Sequence, residues 1–282
     1  MIDALLNFDF IRYSLISGLL IGFIAPLIGA FIVVRRLSLI ADALSHVTLG
    51  GISFGMFLLT IIPVFSVINP MWFGILFAVI GALLIEKLRT SFSNYQEIAI
   101  PIIMSAGIAL SAIFISLADG FNQEIVGLLF GSISAVNISD LTTIIIITII
   151  VLIFIVLFYK ELFILSLDEE YSKVIGIPKW IQFLFIVIVA MVISASMRVV
   201  GILLVSALIT LPIAISMRIT KGFKQLIALS VILGELSVIL GLIIAFYMNI
   251  SPGGVIVVLL VLMLILTMII QKLKIKFKNG VV

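Results

Sequence analysis

Asp42 and His46 are the residues of this chain best placed to do chemistry. His46 is the only histidine among 282 residues, and it follows Asp42 by four positions. On a helix that spacing puts two side chains on one face, about 5–6 Å apart. A carboxylate oxygen and an imidazole nitrogen could then meet at one cation, as two histidines at i and i+4 do in helical zinc sites. Counted along a helix from Arg36, Asp42 stands about 9 Å up and His46 about 15 Å. Against a hydrocarbon core of about 30 Å, His46 falls near mid-depth, where a transported ion would pause. The competing reading is a buried Asp–His hydrogen bond that only holds helices together. One copy offers two strong ligands, whereas a metal takes about four to six. A two-fold homodimer with the pair near its axis would supply two Asp and two His.

The elements that must hold this pair are membrane spans. The chain is 64% hydrophobic and 10% charged, far from the roughly 25% charged residues of a soluble domain. A bilayer can cover that much apolar surface; a soluble fold cannot. Nine apolar segments follow: 12–34, 42–62, 70–85, 98–117, 138–159, 180–197, 199–217, 225–247 and 253–270. Each approaches the roughly 20 residues a spanning helix needs, and all are too long for barrel strands. The expected fold is therefore all-α, a polytopic bundle of about 8–9 transmembrane helices in a single domain, 1–282. The stretch 124–135 is too short and polar to span and reads as a half-helix or interfacial helix. The N-terminus, with Asp3 and Asp9 and no small-residue cleavage site, reads as a retained span.

Basic residues orient the bundle. With the Arg35–Arg36 turn inside, Lys87, Arg89, Lys160, Lys173, Lys179, Arg218, Lys221, Lys224 and the C-terminal lysines all fall inside. Only Arg12 and Arg198 are left, a strong positive-inside pattern. Arg198, between two spans, either reaches the outer interface or pairs with a carboxylate. The longest inner loop, 160–179, carries Asp168, Glu169 and Glu170, which suit a helix N-terminus. Gly176 and Pro178 end that helix.

Other features carry less chemistry. Glu235 lies mid-span, either lining a path as an ion- or proton-linked carboxylate or protonated and bonded to backbone. Ser45, beside the pair, is a further path candidate. Gly18 and Gly22, Gly51 and Gly55, and Gly127 and Gly131 are spaced for close helix packing. Pro26 and Pro212 interrupt long spans. The chain has no Cys, which excludes thiolate sites and cysteine catalysis. No phosphate-binding G-x-x-x-x-G-K-[ST] occurs, so any use of ATP needs another chain. No resident cofactor and no nucleic-acid partner are expected.

The stretch 34–55, VRRLSLIADALSHVTLGGISFG, resembles the permease subunits of manganese/zinc/iron ABC importers, in which a basic pair leads into D-A-L-S-H and small residues. DEEYSKVIGIP resembles that family's coupling helix, with Gly176 at its characteristic glycine. VVGILLVSALITLPIAIS and PGGVIVVL resemble two later blocks. Asn249 stands where the family often has Asp. The resemblance implies a type II-like ABC importer in the bacterial cytoplasmic membrane. It implies a homodimer, a cytoplasmic ATPase docked on the loop holding Asp168, Glu169, Glu170 and Gly176, and an extracellular metal-binding protein. Asp42 and His46 carry over as ligands of the transported divalent ion, moved by alternating access. The lack of Cys and of a His-rich loop leans from zinc toward manganese. The alternatives are a proton-coupled transporter using Glu235 and Asp42, an intramembrane metalloenzyme, and a permease for a metal chelate.

Overall fold

The computed structural model describes residues 8–62, 69–92, 94–118, 123–132 and 136–279. These residues form α1 (Asp9–Val34), α2 (Leu39–Ile61), α3 (Met71–Ser91), α4 (Ala99–Leu117), α5 (Gln123–Phe130) and α6 (Ile138–Leu157). There follow α7 (Tyr159–Leu167), α8 (Glu169–Ile175), α9 (Lys179–Val200), α10 (Ile202–Ile219), α11 (Phe223–Met248) and α12 (Pro252–Asn279). A 3₁₀ turn, Gln96–Ile98, leads into α4. No strand occurs among the described residues, as lipid demands of a chain that must satisfy its backbone within each span.

Eight of these helices are long and apolar enough to cross a membrane. The ninth apolar helix, α10, carries Pro212. It starts beside Arg198, at the end of the bundle where Arg198 meets Asp140, and ends with Arg218 bonded to Gln271 of α12 at the other. It therefore passes through the bundle. The segment expected at 124–135 is the eight-residue α5. The inner loop holds two short helices, α7 and α8, where one was expected.

The packing follows the small residues. Gly18 and Gly22 of α1 rest on Val238 and Leu242 of α11, and Gly22 also approaches the Gly234 carbonyl. Gly51 and Gly55 of α2 rest on Phe73 and Phe77 of α3. α2 packs mainly between α3 and α4, α1 packs mainly on α11, α10 and α6, and α9 touches both groups. In lipid, close backbone approach of this kind replaces the hydrophobic drive that assembles soluble cores.

Three glycines meet where the short helix crosses the α9–α10 junction. Gly131 (φ +77°) and Gly201 (φ +90°) lie in the left-handed region that favours glycine. A Cβ on Gly253 would run into the Val200 carbonyl oxygen and stand 2.6 Å from Leu204. Gly253→Val is therefore expected to lower the melting temperature of the purified protein sharply, since overpacking alone costs about 1–3 kcal/mol. Gly222→Ala, with nothing within 4 Å of the added carbon, is the control and should leave melting unchanged. Equal melting of the two variants would refute this account of the crossing.

Candidate functional site

The α1–α2 turn sets where the Asp42–His46 helix begins. α1 ends in a two-bond motif: the Arg36 N–H donates to Val33 O at 3.0 Å and the Leu37 N–H to Ile32 O at 3.0 Å. This is the bond pattern that usually puts glycine at the left-handed position. Here Arg36 takes it, at φ 60°, so the turn holds a conformation that costs a non-glycine residue about 1–3 kcal/mol. α2 starts at Leu39, which puts Asp42 in its first turn. There the positive end of the helix dipole favours a carboxylate. His46 then lies about 10 Å along the helix, nearer the inner end than a count from Arg36 gives, because the turn consumes residues 35–38.

Behind His46, α2 and α4 nearly touch. A Cβ on Gly107 would stand 2.8 Å from the Val47 nitrogen. The Ser111 hydroxyl donates to Gly107 O at 2.7 Å and lies 3.1 Å from His46 O. On another side, Thr48 Oγ1 meets Ser194 Oγ of α9 at 3.1 Å. These contacts hold the α2 backbone from the rear. Asp42 and His46 point the other way: both are partly exposed, while Ala41, Ala43, Leu44, Ser45, Val47 and Thr48 are buried.

That open face has an inner and an outer end. Leu39, one turn toward the inner side, is 60% exposed. Leu49, one turn outward, is buried in a cluster with Ile125 and Leu128 of α5, Ile52, Ile115, Met197 and Ile202. Within one chain, Asp42 and His46 thus lie partly exposed between the exposed Leu39 and the buried apolar cluster at Leu49. Among the described residues no hydrogen bond or ion pair joins either side chain to another residue, and no group of three or more His, Asp or Glu is gathered.

The remaining sequence candidates fall elsewhere. Ser45 is fully buried, and its hydroxyl donates to Ala41 O at 2.7 Å. Glu235 is half-buried on α11, which packs on α1, α12 and α10, so one chain does not bring it to Asp42 and His46. Asn249 caps α11 in the left-handed conformation at φ 53°, which Asn tolerates better than most residues. Asp168 accepts the Glu170 and Tyr171 N–H groups at 2.9 Å. Gly176 ends α8 at φ +83°, so the caps read from the sequence form as expected.

Two ion-pair networks carry little sequence signal. Arg198, in the last turn of α9, donates to Asp140 at 3.0 Å and lies 3.9 Å from Glu124. Asp140 also closes a capping box with Asn137. At the inner end, the Glu169 carboxylate lies 3.2 Å from Arg89 and 3.4 Å from Arg35. Burial alone would raise the Glu169 pKa, but the Arg89 and Arg35 guanidinium groups outweigh it and hold the carboxyl below its ordinary value. The one usable signal is scarcity: with 13 acidic and 16 basic residues in a lipid-solvated chain, a buried cation such as Arg89 must find a carboxylate.

Known proteins resemble this chain over most of its length. The model of the ABC 3 transport family matches residues 7–271. A Treponema pallidum protein named "Probable metal transport system membrane protein" is 31% identical over 271 residues, which is 94% of this chain and 98% of that protein. The manganese import system permease protein ScaB of Streptococcus parasanguinis is 30% identical over 257 residues, 91% of this chain and 89% of its own. The structure of PsaBC from Streptococcus pneumoniae in complex with Fab superposes with a TM-score of 0.80 at 29% identity, covering 94% of this chain and 93% of that one.

Proposed function

The chain belongs to the ABC 3 transport family, and from that membership we propose that it is the membrane permease of a Mn²⁺ importer driven by a separate ATPase subunit. The Asp42–His46 pair carries the reading: two polar side chains, unpartnered among the described residues, partly exposed between the exposed Leu39 and the apolar cluster at Leu49. An ionisable group in a span costs about 2.5–3.5 kcal/mol and is rarely kept without a partner or a path. Carboxylate and imidazole suit Mn²⁺ as they suit Zn²⁺ and Fe²⁺. Manganese is favoured because several relatives, ScaB among them, carry it in their names.

Two donors do not complete a coordination sphere. A second copy facing the first would bring two more, so the permease works as a homodimer with the ion between the two α2 helices. An extracellular binding protein delivers the ion to the outer side. The ATPase docks on α8, whose Tyr171, Val174 and Ile175 side chains are 56%, 82% and 51% exposed. Asp168, Glu170 and Gly176 give α8 its shape and edge. Alternating access then opens the apolar cluster at Leu49 and closes the inner side. The permease makes and breaks no covalent bond; it dehydrates, holds and releases the ion.

The test is metal uptake. The chain is expressed with its ATPase and binding protein in cells lacking their own importers, and Mn, Zn and Fe are measured by mass spectrometry. Manganese should rise and should fall to background when the ATPase is inactivated. Uptake of another metal alone would replace the cargo, and no ATP-dependent uptake of any metal would sink the proposal.

A further inference from the structure

The α8 helix has two working sides. Tyr171, Val174 and Ile175 face out, while Glu169 turns inward onto two buried guanidinium groups. The Arg35 and Arg89 side chains are 4% and 8% exposed. Arg89 has other partners: Glu86 at 3.1 Å and Gln96 at 3.0 Å. Glu86 in turn accepts from Gln182 of α9 at 2.6 Å. Arg35 differs, because among the described residues Glu169 is its only carboxylate partner. It also caps α1, one residue before the strained Arg36 and seven before Asp42.

We infer that Glu169 is the positioning residue through which movement of α8 reaches the α1–α2 turn, and through it Asp42 and His46. The physical reason is the cost of an unpaired buried charge. When α8 shifts, Arg35 must follow the carboxylate or stay buried with no carboxylate in contact, Glu86 acting on it only from a greater distance. Following it moves the turn, and the turn carries the start of α2. Arg89, held by Glu86 and Gln96, is the fixed side of the same carboxylate. The inference rests on the permease reading above, since it assigns α8 as the ATPase dock.

The complete complex is reconstituted in liposomes, and Mn²⁺ imported per ATP hydrolysed is measured. Glu169→Gln should cut the Mn²⁺ imported per ATP hydrolysed by roughly tenfold or more, the scale of a typical coupling energy. Glu169→Asp should restore part of it. If Glu169→Gln does not assemble, the double variant Glu169→Gln with Arg35→Gln removes both charges and leaves Arg89 its Glu86 partner. That double variant should assemble and remain uncoupled.

A second readout uses the absence of native cysteine. In a Leu39→Cys background, the rate of thiol labelling from the inner side should change between nucleotide-free and vanadate-trapped states. That change should vanish when Glu169→Gln, or the double substitution, is added. Unchanged transport per ATP together with a preserved labelling change would overturn the inference and leave the permease reading intact. Failure of the wild-type complex to import metal would instead overturn the permease reading.

Discussion

Asp42→Asn and His46→Gln are each expected to reduce metal import at limiting Mn²⁺ by about 10–100-fold, the scale on which even supporting partners of a metal site act. Both substitutions keep the size and polarity of the side chain and remove the charge or the imidazole donor. The helix should survive them, because α2 is held from behind by Gly107, Ser111 and the Thr48–Ser194 contact. The amount of folded chain in the membrane should therefore stay near normal. Asp42 carries one structural duty, as an acid in the first turn of α2; losing that dipole interaction costs about 0.3–1 kcal/mol, too little to remove the protein.

If the two side chains hold one ion, their effects must not add. The double variant should import no worse than the poorer single variant, because residues acting as a unit are non-additive. Raising external Mn²⁺ should recover part of the loss in the single variants. Uptake is read as cell-associated metal per quantity of permease, by mass spectrometry and immunoblot. Normal import by both variants at normal abundance would remove the pair from the ion's path. Loss of folded chain in proportion to loss of uptake would make the pair structural.

The second large effect concerns stability. Arg198→Met should destabilise the protein by about 3–5 kcal/mol, the usual cost of removing one partner from a buried ion pair. The Asp140 side chain left behind is 1% exposed, so its charge has no route to water. Asp140→Asn should cost less, since Arg198 is 14% exposed and keeps Glu124 at 3.9 Å. Combining Arg198→Met with Asp140→Asn should be milder than Arg198→Met alone. Melting of the detergent-solubilised chain reads all three. A double variant whose loss equals the sum of the single losses would show that the two residues do not interact. The pair ties α9 to the start of α6 beside the apolar cluster at Leu49, so folded single variants should also leak substrate-independent ATP hydrolysis in the assembled complex.

The parts of this protein legible in its sequence are those governed by local physics. Transfer of a segment into lipid depends on that segment's own residues, so the spans at α1, α2, α4, α6, α9 and α11 lie within a few residues of where hydropathy puts them. α8 is bounded by Asp168 and Gly176 because capping bonds reach only three or four residues. The Asp42–His46 pair is visible because a helix stacks i and i+4 whatever surrounds it. What only the tertiary structure decided is which face of each helix meets which neighbour. In a lipid-solvated chain both faces are apolar, so periodicity does not reveal rotation. Hence the burial of Leu49 against Ile125 and Leu128, and the burial of Ser45 beside a partly exposed His46, depend on packing. The ion pairs are the extreme case. Arg35 and Glu169 are 134 residues apart, Arg89 and Glu169 are 80 apart, and Arg198 and Asp140 are 58 apart. Scarce charges in a low-dielectric bundle must pair, but the choice of partner is made by the helix ends that the fold brings together.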